Sequence, residues 1–162
     1  MSNEDYSRSA GGAAIGARLR RLSENLDGDS TRVYAALGIN FEQRWFGVLN
    51  QLAIKEAVTV GELAATLRIT HVSVSQTRHS LEKSGIVASE SDPKDARRKR
   101  IVLTPAGRQL IKQLQPVWKA FDEVSLELNA EAGNIAASLD RLDDALKQQS
   151  LYQRIVQLLP GA

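Results

Sequence analysis

Apolar residues between positions 13 and 37 fall at Ile15, Leu19, Leu22, Leu26, Val33 and Leu37, in steps of four, three, four, seven and four. This heptad-like stripe predicts a long helix, with a bend or short break at Asp27-Gly28-Asp29. A stripe so narrow suits a partner helix. Gly38 is a stop signal, and Asn40 with Gln43 three residues later resembles a capping box opening a helix with Trp45, Val48, Leu49 and Leu52 on its buried face. Thr59 and Glu62 repeat that pattern ahead of Leu63, Ala64 and Leu67. Arg68-Ile69 then makes a turn, and Thr70 caps a helix over residues 71–84 that is anchored by Val74 and Leu81 and closed by Gly85.

Two short strands follow, over residues 86–90 and 100–103, with a charged tip between them. Thr104-Pro105 starts a long helix carrying Leu110, Leu114, Val117, Trp118, Phe121, Val124 and Leu128, which Pro116 should kink. Asn129 is the expected cap of a later helix, where Ile135, Leu139, Leu142 and Leu146 again step by four, three and four. Ser150 opens a terminal piece with Leu151, Ile155, Leu158 and Leu159. The order is that of a mainly α protein with a small β-hairpin wing: a winged helix-turn-helix flanked by N- and C-terminal dimerisation helices. The expected divisions are a flexible tail over residues 1–12, an N-terminal dimerisation helix over 13–37 and a DNA-binding lobe over 38–104. A long linking helix with C-terminal dimerisation helices takes up 105–162.

Charge sharpens this picture. Residues 68–112 hold ten Lys or Arg against four acids, whereas residues 122–148 hold seven acids against Arg141 and Lys147. The first region suits a polyanion and the second repels one. On the helix at 71–84, Ser73, Ser75, Gln76, His79, Ser80 and Lys83 share the face opposite Val74 and Leu81. Gln can bond adenine bidentately, and Ser adapts to base or phosphate. Arg97, Arg98, Lys99 and Arg100 form a basic run beside that helix, suited to phosphate neutralisation or insertion into a minor groove.

Cysteine is absent, which excludes disulfides, thiolate nucleophiles and Cys-type zinc sites. His71 and His79 lie eight residues apart with no third ligand at metal spacing, so neither a metal nor a cofactor is expected. No nucleophile–base pair can be assembled, and an enzyme is not expected. No apolar run is long enough for a membrane span, and the opening MSNEDYSRSAGG has no apolar core of a secretory signal; a cytoplasmic protein is the expectation. The other reading is a winged-helix protein-interaction module without DNA binding, which has no need of the cations at 97–100.

The segment from Val60 to Gly107 resembles the DNA-binding core of the multiple-antibiotic-resistance regulator (MarR) family. Asp95-Ala96-Arg97, then Leu103-Thr104 and Gly107, match that family's wing signature, and Asp92-Pro93 and the helix end Leu81-Glu82-Lys83-x-Gly85 fit it as well. The resemblance implies a homodimer with intertwined terminal helices, reading a palindromic site on double-stranded DNA. It implies a transcriptional regulator, most simply a repressor, and release by a small aromatic effector. By position, Ser73, Ser75, Gln76 and His79 would face the major groove. Arg97 would enter the minor groove, oriented by a salt bridge from Asp95. Tyr34, Phe41, Trp45, Trp118 and Phe121 are the aromatic residues that such a ligand cleft would draw on.

Overall fold

Ile15–Ala36 is a single unbroken helix, α2, in which Gly28 makes no interruption. The expected break at residues 27–29 is therefore corrected. One helical Gly costs only about 1 kcal/mol relative to Ala, and the surrounding turns hold. Ser30 Oγ donates to Leu26 O and Thr31 Oγ1 to Asp27 O, each at 2.8 Å, and Arg32 pairs with Asp29 at 3.1 Å. The computed structural model describes residues 5–93 and 95–159, with the backbone alone at 96 and 97. It divides into two compact units, residues 1–111 and 112–162, and α6 (Pro105–Glu131) runs from the first into the second.

In the first unit the opening residues are not wholly without structure where the sequence suggested a loose tail. Asp5 caps a four-residue helix, α1 (Tyr6–Ser9), and takes two hydrogen bonds from Arg21 of α2, at 3.2 and 2.8 Å. That guanidinium, with the Ser7 hydroxyl adding to it, holds the Asp5 carboxyl far below the usual range. Asn40 does not cap the next helix. A 3₁₀ turn at Gln43–Trp45 leads into α3 (Phe46–Ile54), and the residue before the turn, Glu42, points its carboxylate at Arg44 and Ser80.

β1 (Ala57–Thr59), a strand that the sequence pattern did not announce, follows α3. It joins the wing strands β2 (Val87–Asp92) and β3 (Asp95–Leu103) in an antiparallel sheet of order β1-β3-β2. β1 pairs only with the base of the wing: Ala57 lies opposite Val102, Val58 opposite Ile101 and Thr59 opposite Arg100. β3 is also longer than expected. Its pairing runs from Leu103 opposite Val87 to Lys99 opposite Ser91, and then jumps to Asp95 opposite Asp92. Residues 96–98 are therefore extra residues bulged out of the ladder. The basic run lies on a bulged strand and not in the tip of a loop.

The helix-turn-helix pair is α4 (Val60–Leu67) and α5 (His71–Lys83). Both predicted caps are present. Thr59 Oγ1 accepts from Glu62 N at 3.2 Å while the Glu62 carboxylate accepts from Thr59 N at 2.7 Å, and Thr70 Oγ1 accepts from Ser73 N at 3.1 Å. Arg68, at φ 53°, makes the left-handed step between the helices. Gly85, at φ 70°, ends α5: Gly85 N donates to Glu82 O and Ile86 N to Leu81 O, which is a Schellman closure. Trp45, Leu49, Leu63, Val74, Leu81 and Ile101 are each buried and form the centre of this unit.

The Glu62 cap carries a pH prediction. The Thr59 backbone N–H, then its hydroxyl, hold the Glu62 carboxyl below the ordinary glutamate range, with Arg98 and Lys55 adding to the effect. A carboxyl depressed in the folded state stabilises at pH values above its unfolded pKa, and that contribution is lost as pH falls through the lower folded value. Glu62→Gln preserves a capping-box acceptor but does not titrate. Urea midpoints should therefore favour the wild type at pH 7 and converge with those of the variant as pH is lowered toward 3. A gap that stays constant with pH contradicts the assignment.

In the second unit, α6 continues through Pro116 to Glu131, although proline removes one helical hydrogen bond. The cap of α7 (Ile135–Gln148) is Asn134, whose side chain accepts from Ala137 N at 3.4 Å; Asn129, the expected cap, instead accepts from Ala136 N at 2.9 Å from within α6. α8 (Leu151–Val156) opens on a full capping box of Ser150 and Gln153, as its sequence predicts. Ile135, Leu139, Leu146, Leu151 and Ile155 are all exposed in this chain. The same holds in the first unit for Ile15, Leu19, Leu22, Leu26 and Val33 of α2.

Candidate nucleic-acid interface

One side of α5 is built into the core by Val74 and Leu81, both 0% exposed, and by Thr77 at 5%. The other side lines an open groove of about 1220 Å³, whose walls include His71, Val72, Ser75, Gln76, His79 and Lys83 from α5 and Glu42 and Arg44 from the segment before α3. Ser75, Gln76 and His79 are thus brought together as the sequence indicated. Gln76 and His79 are exposed, and Ser75 is half-buried. Ser73 is exposed but sits apart at the helix start, where its hydroxyl lies 2.9 Å from that of Thr70.

Ser80, expected on the outward face, is turned inward. Its Oγ donates to Glu42 Oε1 at 3.0 Å and accepts from Trp45 Nε1 at 3.0 Å and from Arg44 Nη2 at 3.1 Å. Those three bonds saturate a hydroxyl. The Arg44 guanidinium, with Ser80 assisting against the effect of burial, holds the Glu42 carboxyl below its usual range. Arg44 and Val72 are among the groove residues that escaped the sequence reading. Arg44 precedes a helix whose start was misplaced, and Val72, 65% exposed one turn before Gln76, was passed over as an apolar residue.

The wing is tied to α5 from the side. Ser89 of β2 donates to the Glu82 carboxylate and lies 3.4 Å from Arg78 Nη1, and Arg78 faces Glu82 in turn. The four wing cations are not equivalent. Arg100 is committed to Glu90, directly opposite on β2, at 2.7 Å. Lys99 donates to Ser91 at 3.3 Å, and both Lys99 and Arg98 are exposed. None of the three lines the α5 groove. The Arg97 side chain, and with it the expected Asp95–Arg97 salt bridge, lies outside the described residues. Among those residues no cluster of three or more acidic, His or Cys side chains could hold a metal, and no helix is long and apolar enough to cross a membrane.

Two helices joined by a tight turn, the second exposed along a groove and flanked by an antiparallel hairpin, define a winged helix-turn-helix. Residues 37–98 match the model of the MarR family. The chain carries that match on its winged segment. It is 27% identical over 99 residues to a putative transcriptional regulatory protein for the hcr operon of Thauera aromatica, covering 60% of each chain. To the transcriptional activatory protein BadR of Rhodopseudomonas palustris it is 28% identical over 107 residues, covering 64% of this chain and 61% of that one. The match thus spans about 60% of the length of these curated relatives. In fold it is similar to S. aureus MepR, solved as a DNA complex, with a TM-score of 0.69 at 19% identity over 82% of this chain and 98% of the other.

Proposed function

We propose that the chain is a homodimeric, sequence-specific DNA-binding transcriptional regulator. The observation that carries this reading is the groove along α5, where Ser75, Gln76 and His79 stand exposed or half-exposed on a helix whose opposite face is locked into the core. Such a helix offers donors and acceptors to base edges in a major groove. Ser73, near its N-terminus, is placed for a phosphate or the outermost base. Arg98 and Lys99, exposed on the bulged wing, supply phosphate contacts, and Arg97 on the same strand is proposed to enter the minor groove, oriented by Asp95. Arg100 is proposed to contribute mainly field, because its guanidinium already holds Glu90.

The apolar stripes of α2, α7 and α8 support the homodimer, since rows of exposed Leu and Ile on one chain are what a second copy covers. Residues 13–37 and 105–162 are accordingly proposed as the dimerisation elements and 38–104 as the DNA-reading lobe. Over a palindromic operator the simplest action of such a dimer is repression, by excluding polymerase. A small aromatic effector would act in this scheme on the separation of the two reading helices. It would not occupy the space among Tyr34, Phe41 and Trp45, whose rings already pack at centroid distances of 4.3 and 5.9 Å.

Selection of bound sites from random duplex DNA should return a palindrome with half-sites about one turn, roughly 34 Å, apart. Gln76→Ala should then cost about 1–3 kcal/mol on that site and relax preference at one base pair per half-site. Recovery of no enriched sequence overturns sequence-specific binding and favours the protein-interaction module. A consensus without symmetry overturns the dimer. An equal loss on every sequence removes Gln76 from base reading.

A further inference from the structure

Arg44 is half-exposed at the edge of the α5 groove, and the structure shows more care in placing it than a surface ion pair needs. Its Nε donates to Glu42 Oε2 and one Nη2 hydrogen to Ser80 Oγ. A guanidinium has five N–H donors, so three remain without a partner among the described residues. The holding groups are themselves held. Ser80 binds the second Glu42 oxygen, and its remaining lone pair takes the indole N–H of Trp45, which is 1% exposed. The guanidinium is thereby fastened to the core through a closed set of hydrogen bonds. An exposed Arg–Glu pair alone contributes about 0–1 kcal/mol and requires no such anchoring.

Building on the DNA-binding reading above, we propose that Arg44 is a phosphate-binding residue that takes one backbone phosphate of the duplex beside the recognition helix, with Glu42 and Ser80 as its positioning residues. The planar fork of donors matches phosphate oxygens. Fixing the fork before binding reduces the ordering cost of the contact. Glu42 and Ser80 orient the guanidinium before DNA arrives, so Arg44 contributes direction as well as charge. The contact also sets register, because Arg44 is linked through Ser80 to the same helix that carries Gln76, one turn away.

The test uses the full-length protein and a duplex that the wild type has selected from random sequence. Arg44→Gln should weaken binding on the order of fivefold at 0.15 M salt and make the log–log salt slope shallower by about 0.9 for each Arg44 engaged, as for one phosphate contact. Arg44→Lys should restore most of the slope. On the DNA side, single methylphosphonate substitutions should reveal one position per half-site that weakens the wild type but not Arg44→Gln. Glu42→Ala, which leaves the cation but loosens it, should keep the slope and blur that position. An unchanged slope in Arg44→Gln, or a loss equal at all salt concentrations, overturns the proposal while leaving the DNA-binding reading intact. So does a methylphosphonate scan in which every position that weakens the wild type weakens Arg44→Gln equally. A wild type that selects no duplex removes both.

Discussion

Gly107→Ala should cost about 3–5 kcal/mol, above the usual price of overpacking. A Cβ at position 107 would lie 2.1 Å from the backbone oxygen of Ile86 and 3.1 Å from a Leu103 methyl. The obstacle cannot move cheaply. Ile86 O accepts from Thr104 N and from Thr104 Oγ1, each at 3.1 Å, and Thr104 Oγ1 in turn accepts from Gly107 N at 3.0 Å to cap α6. Shifting the carbonyl therefore strains the end of α5, the base of β3 and the start of α6 together. Urea unfolding followed by far-UV circular dichroism checks this; a loss below about 1 kcal/mol would show that the carbonyl relaxes. The same geometry explains why Leu103-Thr104 and Gly107 occur together: threonine closes the junction and glycine leaves room for it.

Trp45→Ala should lose about 3–5 kcal/mol, the range for removing a buried aromatic side chain. The indole sits edge-on to Phe41 at 5.9 Å and donates to Ser80 at 3.0 Å, so its removal opens a cavity and strips one acceptor bond from the hydroxyl that brackets Arg44. Trp45→Phe separates the two effects. It keeps much of the packing and forfeits the hydrogen bond, and should cost about 1–2 kcal/mol. Equal losses in the two variants would assign the whole effect to the hydrogen bond and refute the packing account.

Much of this fold is legible in the residues, because several signals are local and strong. Thr59 with Glu62, Thr70, Thr104 ahead of Pro105, and Ser150 with Gln153 each mark a helix start by a side chain that bonds the adjacent backbone, and Gly85 marks a helix end by its left-handed backbone. What escaped was set by tertiary context. β1 has three residues, too few for alternation to register, and exists because Ile101 and Val102 offer it an edge. The full extent of β3 was hidden because exposed charges on a twisted, bulged strand carry no period-2 signal. Asn40 satisfied a capping pattern that lost to a 3₁₀ turn, which placed Glu42 and Arg44 against α5. A helical wheel set Ser80 outward. Its inward bonds come from residues about 36 positions earlier in the chain, which a wheel does not contain.

The short reach of β1 makes the wing a cantilever. Residues 100–102 of β3 are clamped between two neighbouring strands, whereas from Lys99 outward only β2 accompanies the ribbon, and the bulge at 96–98 loosens even that ladder. Arg100 sits at the fulcrum, its charge bound to Glu90, and the cations beyond it ride on the overhang. Length, twist and sequence of that overhang are therefore free to change without disturbing the sheet that carries it. In the proposed reading, the cations that would grip nucleic acid therefore sit on the part of the molecule on which the rest of the fold least depends.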